Sequence, residues 1–577
     1  MNTVLDWLDS PAPERGIHYH RNGDWHLRDY AGIAAATRST AAFLHANGVT
    51  KGVVSLLIEE PETFVPAFLG VMYAGATPSP IASPVTFGGH EAFTEHAAAV
   101  LGAAEPAAVL TDAALAPLAA TACAKAGTGT PLVLPDPAEL PAADALARRT
   151  ADLALLQFTS GSSGTPKGVR VTGENLTANV RAIHGWLGVS SEDSCSSWLP
   201  LYHDMGLIGT FLGSVVAQID LWLMSPVDFI RSPARWLDCH GRHGVTITTA
   251  PNFGYGYATS RVREEELAGT DFSAWRVAMS GAERVDARVV ADFTAKLAPY
   301  GFDSRALTPC YGMAETTLAV TGVRPGTGAR IVRTAGPLAT GAPVTVTDTG
   351  VLGVDRPEDP ARWIAACGTP VPETAVDVVD EDGAPLPEGT FGEIRVRGTS
   401  VADGYQSPDP AASAPFGADG LRTGDAGFLH DGELYVVGRI GDSLKVRGRK
   451  VHAEDVEAAL VSLPGVPPGR CAVALGTLDG RGGAVVVVEA PGEEWLEAVT
   501  GVLRSALDTT VEVTVVRARR GTIPRTSSGK PRRRLLWRQA AEGTLAGDVL
   551  RAPHPTHRPA PPTAPQPTAT HLDGAAT

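Results

Sequence analysis

The sequence predicts an α/β protein of more than one domain, and three observations carry that reading. The chain has 577 residues, too many for one simple domain. Short apolar runs alternate with helical patterns over most of its length, as parallel strands joined by helices do. Several of those runs end in glycine, small residues and a lone carboxylate or histidine, the composition expected at the carboxyl rim of a doubly wound sheet.

Composition narrows the function. An apolar fraction of 44% is ordinary for a globular chain. A net charge of −15 argues against wholesale binding to nucleic acid or an anionic membrane. The six cysteines, Cys123, Cys195, Cys239, Cys310, Cys367 and Cys471, form no C-x-x-C, so neither zinc nor a disulfide framework is expected. The start, MNTVLDWLDS, lacks the apolar core of a secretory signal. The greasiest stretch, 209–224, is broken by Gln218 and Asp220 and is too short to span a bilayer. A cytoplasmic protein without membrane insertion is expected.

Along the chain, 53–58 reads as a buried strand and 62–74 as a helix entered through Pro61. Residues 111–149 are rich in Ala and Pro and carry no nameable chemistry. Leu155-Leu156-Gln157-Phe158 is a short buried strand. It breaks into Thr159-Ser160-Gly161-Ser162-Ser163-Gly164-Thr165-Pro166-Lys167-Gly168, with three glycines, five hydroxyls and one lysine in ten residues. Glycine lets backbone N–H groups approach an anion, and hydroxyls and lysine add donors and charge, which suits polyphosphate. The spacing fits neither G-x-x-x-x-G-K-[ST] nor G-x-S-x-G. A flexible linker would not follow a buried strand in this order of residue types.

Thr172 caps a helix over 173–187. A strand at 196–199 leads into Pro200-Leu201-Tyr202-His203-Asp204-Met205-Gly206, placing His203 where α/β ligand sites lie. Ser232-Pro233 opens another helix, with Trp236 and Leu237 on its buried side. The β-branched run 245–249 is a strand ending in Ala250-Pro251-Asn252-Phe253-Gly254-Tyr255. Phe253 and Tyr255 fit plain core aromatics as well as site residues. Strands at 277–279 and 307–310 end in Ser280-Gly281-Ala282-Glu283 and Tyr311-Gly312-Met313-Ala314-Glu315. Residues 323–366 are rich in Gly, Pro and Thr and read as loop and short strands. From Cys367 the pattern turns to strict alternation, with turns at Asp382-Gly383 and Asp431-Gly432, as in a small antiparallel β subdomain. Residues 450–550 alternate helix and strand again, and 551–577 are Pro/Ala/Thr-rich, the composition of a disordered tail.

The string TSGSSGTPKG resembles the phosphate-binding loop of the adenylate-forming superfamily, which includes acyl- and aryl-CoA ligases, peptide-synthetase adenylation domains and fatty acyl-AMP ligases. Further stretches follow in the family's order. WLPLYHDMGLIG resembles the fatty acyl-AMP ligase branch, and so does the placement of 323–366, where that branch carries an insertion. The stretches at Asn252, Gly281, Tyr311, Thr423-Gly424-Asp425, Gly438-Arg439 and Pro524-Arg525-Thr526-Ser527-Ser528-Gly529-Lys530 resemble the remaining motifs.

The resemblance implies an N-terminal adenylation domain (1–440) of two packed α/β sheets and a small β-barrel subdomain (about 367–438), then a smaller mobile α+β C-terminal domain (441–550) and the tail. It implies nucleotide contacts at Thr159, Ser160, Gly161, Ser162, Ser163, Gly164, Thr165, Lys167, Gly281, Ala282, Glu283, Tyr311, Gly312, Met313, Ala314, Asp425 and Arg439. Tyr311 would stack on adenine, Asp425 would accept from both ribose hydroxyls, and Glu315 would hold Mg²⁺. His203, Asp204, Met205, Asn252 and Phe253 would meet the acyl substrate. Lys530 and His203 are the catalytic candidates.

The implied reaction activates a fatty carboxylic acid with ATP to acyl-AMP, then passes the acyl group to the phosphopantetheine of a separate acyl carrier protein. Arg525, Arg532, Arg533 and Arg534 are candidates to meet that acidic partner. An acyl-CoA ligase using free CoA is the nearest rival, and a silent nucleotide-binding protein is the rival from another class. Gly441-Asp442-Ser443-Leu444 imitates the serine motif of a carrier, but the basic run Lys445-Val446-Arg447 after it argues against that reading. Gly441, where the family carries a charge, and Val451-His452-Ala453, where it carries Leu-Tyr-Pro, depart from the pattern.

Overall fold

The computed structural model describes residues 3–551 except 85–88, 137–138, 141–146, 160–165, 336–337, 358–362, 408–414, 447–448, 468, 479–480, 508–510 and 526–529. The core of the phosphate-loop string, part of the PRTSSGK string and the tail beyond 551 therefore lie outside the described residues.

A nine-stranded mixed sheet organises the molecule. Its order is Thr369–Pro370, Ala319–Gly322, Leu307–Gly312, Val277–Ser280, Ile247–Ala250, Ser194–Ser197, Asp220–Leu223, Gly16–Arg21 and Asp24–Asp29. From Leu307–Gly312 to Gly16–Arg21 the neighbours are parallel, so their carboxyl ends lie along one rim. A smaller parallel sheet, ordered Thr77–Pro80, Val53–Leu57, Ala108–Thr111 and Leu132–Val133, holds the strand expected at 53–58.

Helices are placed by their caps. The Thr172 hydroxyl accepts from Asn175 N–H while the Asn175 side chain accepts from Thr172 N–H, a reciprocal box that starts Gly173–Leu187. Pro61 opens Pro61–Tyr73, and Ala234–Gly241 buries Trp236 and Leu237 as expected. Under the large sheet Trp236, Trp275, Tyr255, Phe272 and Phe293 pack as an aromatic core. His240 stacks on Trp275 at 3.6 Å, and burial pushes its imidazole down to about 3, so it is a neutral core ring.

The region 323–366 is more ordered than its composition suggests. Arg330–Ala335, Thr345–Val351 and Trp363–Ala365 form a three-stranded antiparallel sheet. The alternating region beyond it forms an antiparallel sheet from Thr374–Val379, Gly392–Gly398, Gly420–His430, Phe416–Gly417 and Glu433–Arg439. Asp431 (φ 50°) and Gly432 (φ 74°) make the left-handed turn that closes its last hairpin.

After Arg439 come the turn Ile440–Asp442 and the hairpin Ser443–Val446/Arg449–His452. The strands Cys471–Leu478, Arg481–Val488, Glu512–Arg517 and Asp548–Arg551 then form a separate sheet. Its alternate residues serve two faces. Val473, Val486 and Val488 pack with Val456, Val499 and Leu503, while Ala472, Val485 and Val487 pack with Leu536 and Trp537.

Candidate functional site

The motif-bearing segments leave adjacent strands at the carboxyl rim of the large sheet. Ser194–Ser197 runs toward His203, Ile247–Ala250 toward Phe253, Val277–Ser280 toward Glu283, and Leu307–Gly312 toward Glu315. A fifth segment comes from the three-stranded sheet of Tyr405–Gln406, Lys167–Thr172 and Leu153–Thr159. There Thr159 pairs with Lys167, so the phosphate-loop string is clasped at its base by a β-ladder.

One polar network joins residues far apart in sequence. The Lys167 ammonium lies 4.9 Å from the Tyr405 ring centroid, and the Tyr405 hydroxyl donates to Glu315 Oε1 at 2.5 Å. The Tyr311 hydroxyl donates to Asp425 Oδ2 at 2.7 Å, and Arg439 Nε meets Asp425 Oδ1 at 2.9 Å. Asp425 raises the Arg439 guanidinium above its ordinary value, against the opposing effect of burial, and Glu315 and Tyr311 add to the rise. Burial and Asp425 together hold the Tyr311 phenol protonated.

Lys530 enters this network from the C-terminal segment. Its side chain is exposed, yet near enough to neighbouring protein to be partly dehydrated. That dehydration lowers its ammonium from the ordinary value and Arg439 lowers it further, while Asp204, Asp425 and Glu283 act the other way. The cleft thus gathers Lys167, Arg439 and Lys530 with Glu283, Glu315, Asp204 and Asp425.

At the strand-to-helix junction His203 Nδ1 lies 2.7 Å from Asp204 Oδ1, which also accepts from Met205 N–H at 2.7 Å. Burial raises the Asp204 carboxyl, but His203, the Met205 N–H and Lys530 outweigh it and leave it below the ordinary range. A neutral His203 donating through Nδ1 keeps Nε2 as an acceptor. Met205–Leu212 then winds as a π-helix, closed at its end by Gly213 N–H to Ile208 C=O. Gly206 is required here, because a Cβ would come within 2.4 Å of Pro200 O.

The two aromatics left open by the sequence separate. Tyr255 is fully buried and its hydroxyl donates to Met279 O at 2.6 Å, a core role. Phe253 is 47% exposed, and its N–H donates to Glu283 Oε1 at 2.6 Å. Burial raises Glu283, opposed by that N–H, Lys530 and Arg525. Asn252 is buried and its side-chain oxygen accepts from Asp286 N–H at 3.1 Å, so it braces this corner. Gly281 lies beneath Cys310 and Met205, and Ala282 takes a left-handed φ of 67°. Gly312 lies against Leu318 O, Met313 N–H donates to that oxygen at 2.9 Å, and Ala314 is buried at the start of the turn holding Glu315.

The arginines offered to a partner part company, and only Arg533 is corrected. Arg533 is not a free surface charge: its guanidinium is engaged by Asp442, Glu454 and Glu457. Arg532 faces His96, whose ring burial and Arg532 together push down to about 4. Arg534 is exposed. Ser443 begins a strand and donates to Ile440 O at 2.7 Å, unlike the exposed serine of a carrier. Two participants had no signal in spacing. Tyr405 bridges Lys167 and Glu315. Gln157, buried in the strand before the loop, donates to Tyr202 O at 2.9 Å and ties that strand to the histidine junction.

Among the described residues no three His, Cys, Asp or Glu side chains cluster as metal ligands. Glu315, with one oxygen bonded to Tyr405, fits a hard cation that takes its other ligands from phosphates and water, as magnesium does.

The family described as AMP-binding enzyme matches residues 10–406. The chain is 35% identical over 489 residues to a protein of Caulobacter vibrioides provisionally named an acyl-CoA synthetase, covering 83% of this chain and 84% of that one. It is 34% identical over 517 residues to the long-chain-fatty-acid–AMP ligase FadD26 of Mycobacterium tuberculosis, covering 83% and 85%. The medium-chain-fatty-acid–[acyl-carrier-protein] ligase JamA of Moorena producens is 34% identical over 410 residues, 68% of each chain. A solved structure from work on fatty acyl-adenylate ligases of E. coli and L. pneumophila superposes with TM-score 0.81 at 30% identity, covering 94% of this chain and 98% of that one.

Proposed function

Since this chain belongs to the AMP-binding enzymes, in their fatty acyl-AMP ligase branch, we propose that it adenylates a fatty carboxylic acid and hands the acyl group to the phosphopantetheine thiol of a separate acyl carrier protein. The observation that carries this reading is the meeting of Lys167, Arg439 and Lys530 with Glu315, Asp425 and the His203–Asp204 pair in one cleft.

In the first step a carboxylate oxygen attacks the α-phosphorus of ATP, and the bond to the pyrophosphate oxygen breaks. Both reactants are anionic, so the site must neutralise charge before they meet. Lys530 supplies a positive charge from the C-terminal side, and Lys167 supplies one beside the phosphate loop. Asp425 suits a vicinal diol, because a carboxylate accepts from two hydroxyls at once. Tyr311 lies beside it, where a flat ring can cover a base. With Nδ1 held by Asp204, His203 keeps Nε2 as an acceptor. Glu315 would hold magnesium, which supplies positive charge to the phosphates when bound. In the second step the carrier's thiolate sulfur attacks the acyl carbon, the carbon–oxygen bond to AMP breaks, and AMP leaves.

The C-terminal segment from about residue 441 would act as a mobile domain between the steps. Among the described residues no helix is long and apolar enough to cross a membrane, and their cysteines are free. The site of action proposed is the cytoplasm, where ATP and carrier proteins meet. The test is to incubate the protein with ATP, magnesium and a mixed pool of carboxylic acids and to read acyl-adenylates by mass spectrometry. Fatty acyl-AMP is expected. Neither adenylate nor ATP–pyrophosphate exchange would sink the reading. Offering CoA and a holo-carrier together separates the two acceptors, with the carrier expected to be acylated.

A further inference from the structure

We propose that Arg533 is a positioning residue that latches the turn Ile440–Asp442 and thereby fixes where the C-terminal segment delivers Lys530. This deepens the proposed adenylation and rests on it. Arg533 opens the helix Arg533–Ala541, three residues beyond Lys530. Its side chain is 14% exposed. Nη1 contacts Asp442 Oδ2 at 3.1 Å and Glu454 Oε1 at 2.8 Å. Nη2 contacts Glu457 Oε2 at 2.7 Å, and Nε contacts Glu457 Oε1 at 3.2 Å. Every nitrogen of the fork is thus committed inward, which leaves none to present to a partner.

The three carboxylates are as sheltered as the arginine, at 14%, 19% and 15% exposure for Asp442, Glu454 and Glu457. One guanidinium among three carboxylates leaves excess negative charge, so the cluster coheres only through Arg533. The carboxylates come from two elements, Glu454 and Glu457 from the helix Ala453–Val461 and Asp442 from the turn. Glu457 accepts from Val473 N–H at 2.7 Å and is pinned to the C-terminal sheet. Glu454 Oε2 lies beside Gly438, where a Cβ would come within 2.9 Å of it, and finds no hydrogen-bond partner among the described residues. Asp442 is the turn itself, and it acts electrostatically on Arg439, which in turn holds Asp425. The latch therefore ties the helix Ala453–Val461, and the C-terminal sheet that Glu457 grips, to the turn that directly follows Arg439, whose guanidinium holds Asp425.

The test uses full-length protein with Asp442→Asn, Arg533→Gln and Arg533→Lys. Three quantities are read: amide hydrogen exchange across 439–446, ATP–pyrophosphate exchange resolved into kcat and KM for ATP, and amide exchange in the strand Arg481–Val488. Asp442→Asn and Arg533→Gln should each speed amide exchange at the turn at least about tenfold and lower kcat by a similar factor. KM for ATP should stay within about threefold, and Arg533→Lys should recover part of kcat. The strand amides should remain as protected as in wild type. If Arg533→Gln loosens the strand, Asp442→Asn, which removes a single contact, decides. Unchanged turn exchange and kcat in Asp442→Asn overturn the latch. So does a loss of kcat that tracks loss of strand protection in every variant. Wild type without pyrophosphate exchange defeats the proposed function instead, while the hydrogen-exchange arm still judges the latch.

Discussion

Replacing Glu454 with Gln should change stability in a manner that depends on pH. Burial raises the Glu454 carboxyl from 4.5 to about 7, with Arg533 opposing and Glu457 and Asp442 adding to the rise. Its side chain is 19% exposed, so water screens it little. A displacement of that size corresponds to about 3 kcal/mol of differential proton binding. Between pH 4.5 and 7 the unfolded chain has lost this proton and the folded chain still holds it. The folded state binds more protons there, so stability falls as pH rises through the window and levels off above it. Glutamine imitates the protonated carboxyl and removes the slope. The variant should match wild type near pH 4.5 and exceed it by about 2–3 kcal/mol at pH 8. Amide exchange in the strand Cys471–Leu478, read from pH 5 to 8 as opening free energy, reports this core directly. A difference that does not vary with pH, or a less stable variant at pH 8, would refute the reasoning.

Other outcomes follow from the same geometry. Lys530→Ala should lower the rate of adenylation by on the order of 10²–10³ while ATP still binds, as calorimetric titration beside pyrophosphate release will show. Asp425→Ala leaves Arg439 without its carboxylate and removes the proposed diol acceptor, so KM for ATP should rise about 10- to 100-fold in exchange assays. Ala282→Gly relieves a left-handed backbone and should raise unfolding free energy by about 0.5–1 kcal/mol in thermal melts. Arg534→Glu with Arg538→Glu, both exposed, should raise KM for the carrier several-fold without breaking the Arg533 cluster.

Local chemistry was legible in the sequence where it was self-contained. The cap at Thr172 and the Asp431-Gly432 turn need only near neighbours, so composition announced them. The strand ends bearing His203, Glu283 and Glu315 were legible because small residues after apolar runs mark a sheet rim. What escaped depends on distant partners. Gly16–Arg21 pairs with Asp220–Leu223 some 200 residues away, and nothing in either segment names the other. Tyr405 looks like any loop aromatic until its strand is laid beside Lys167. The run Arg532-Arg533-Arg534 reads as one basic patch, yet folding gives its members a histidine, a ring of carboxylates and open water. Phe253 and Tyr255 are indistinguishable by type, and only the direction of the helix Asn252–Arg261 sends one outward and one into the core.

The widened coil at Met205–Leu212 leaves the segment after His203 open to change by deletion. Trimming one residue from it would restore an ordinary repeat, because a π turn holds about one residue more than an α turn, while the elements on either side keep nearly their places. A family of such chains could therefore reshape the wall that follows His203 in one step, by losing a single codon, with no new side chain and no change in the charged cleft beside it.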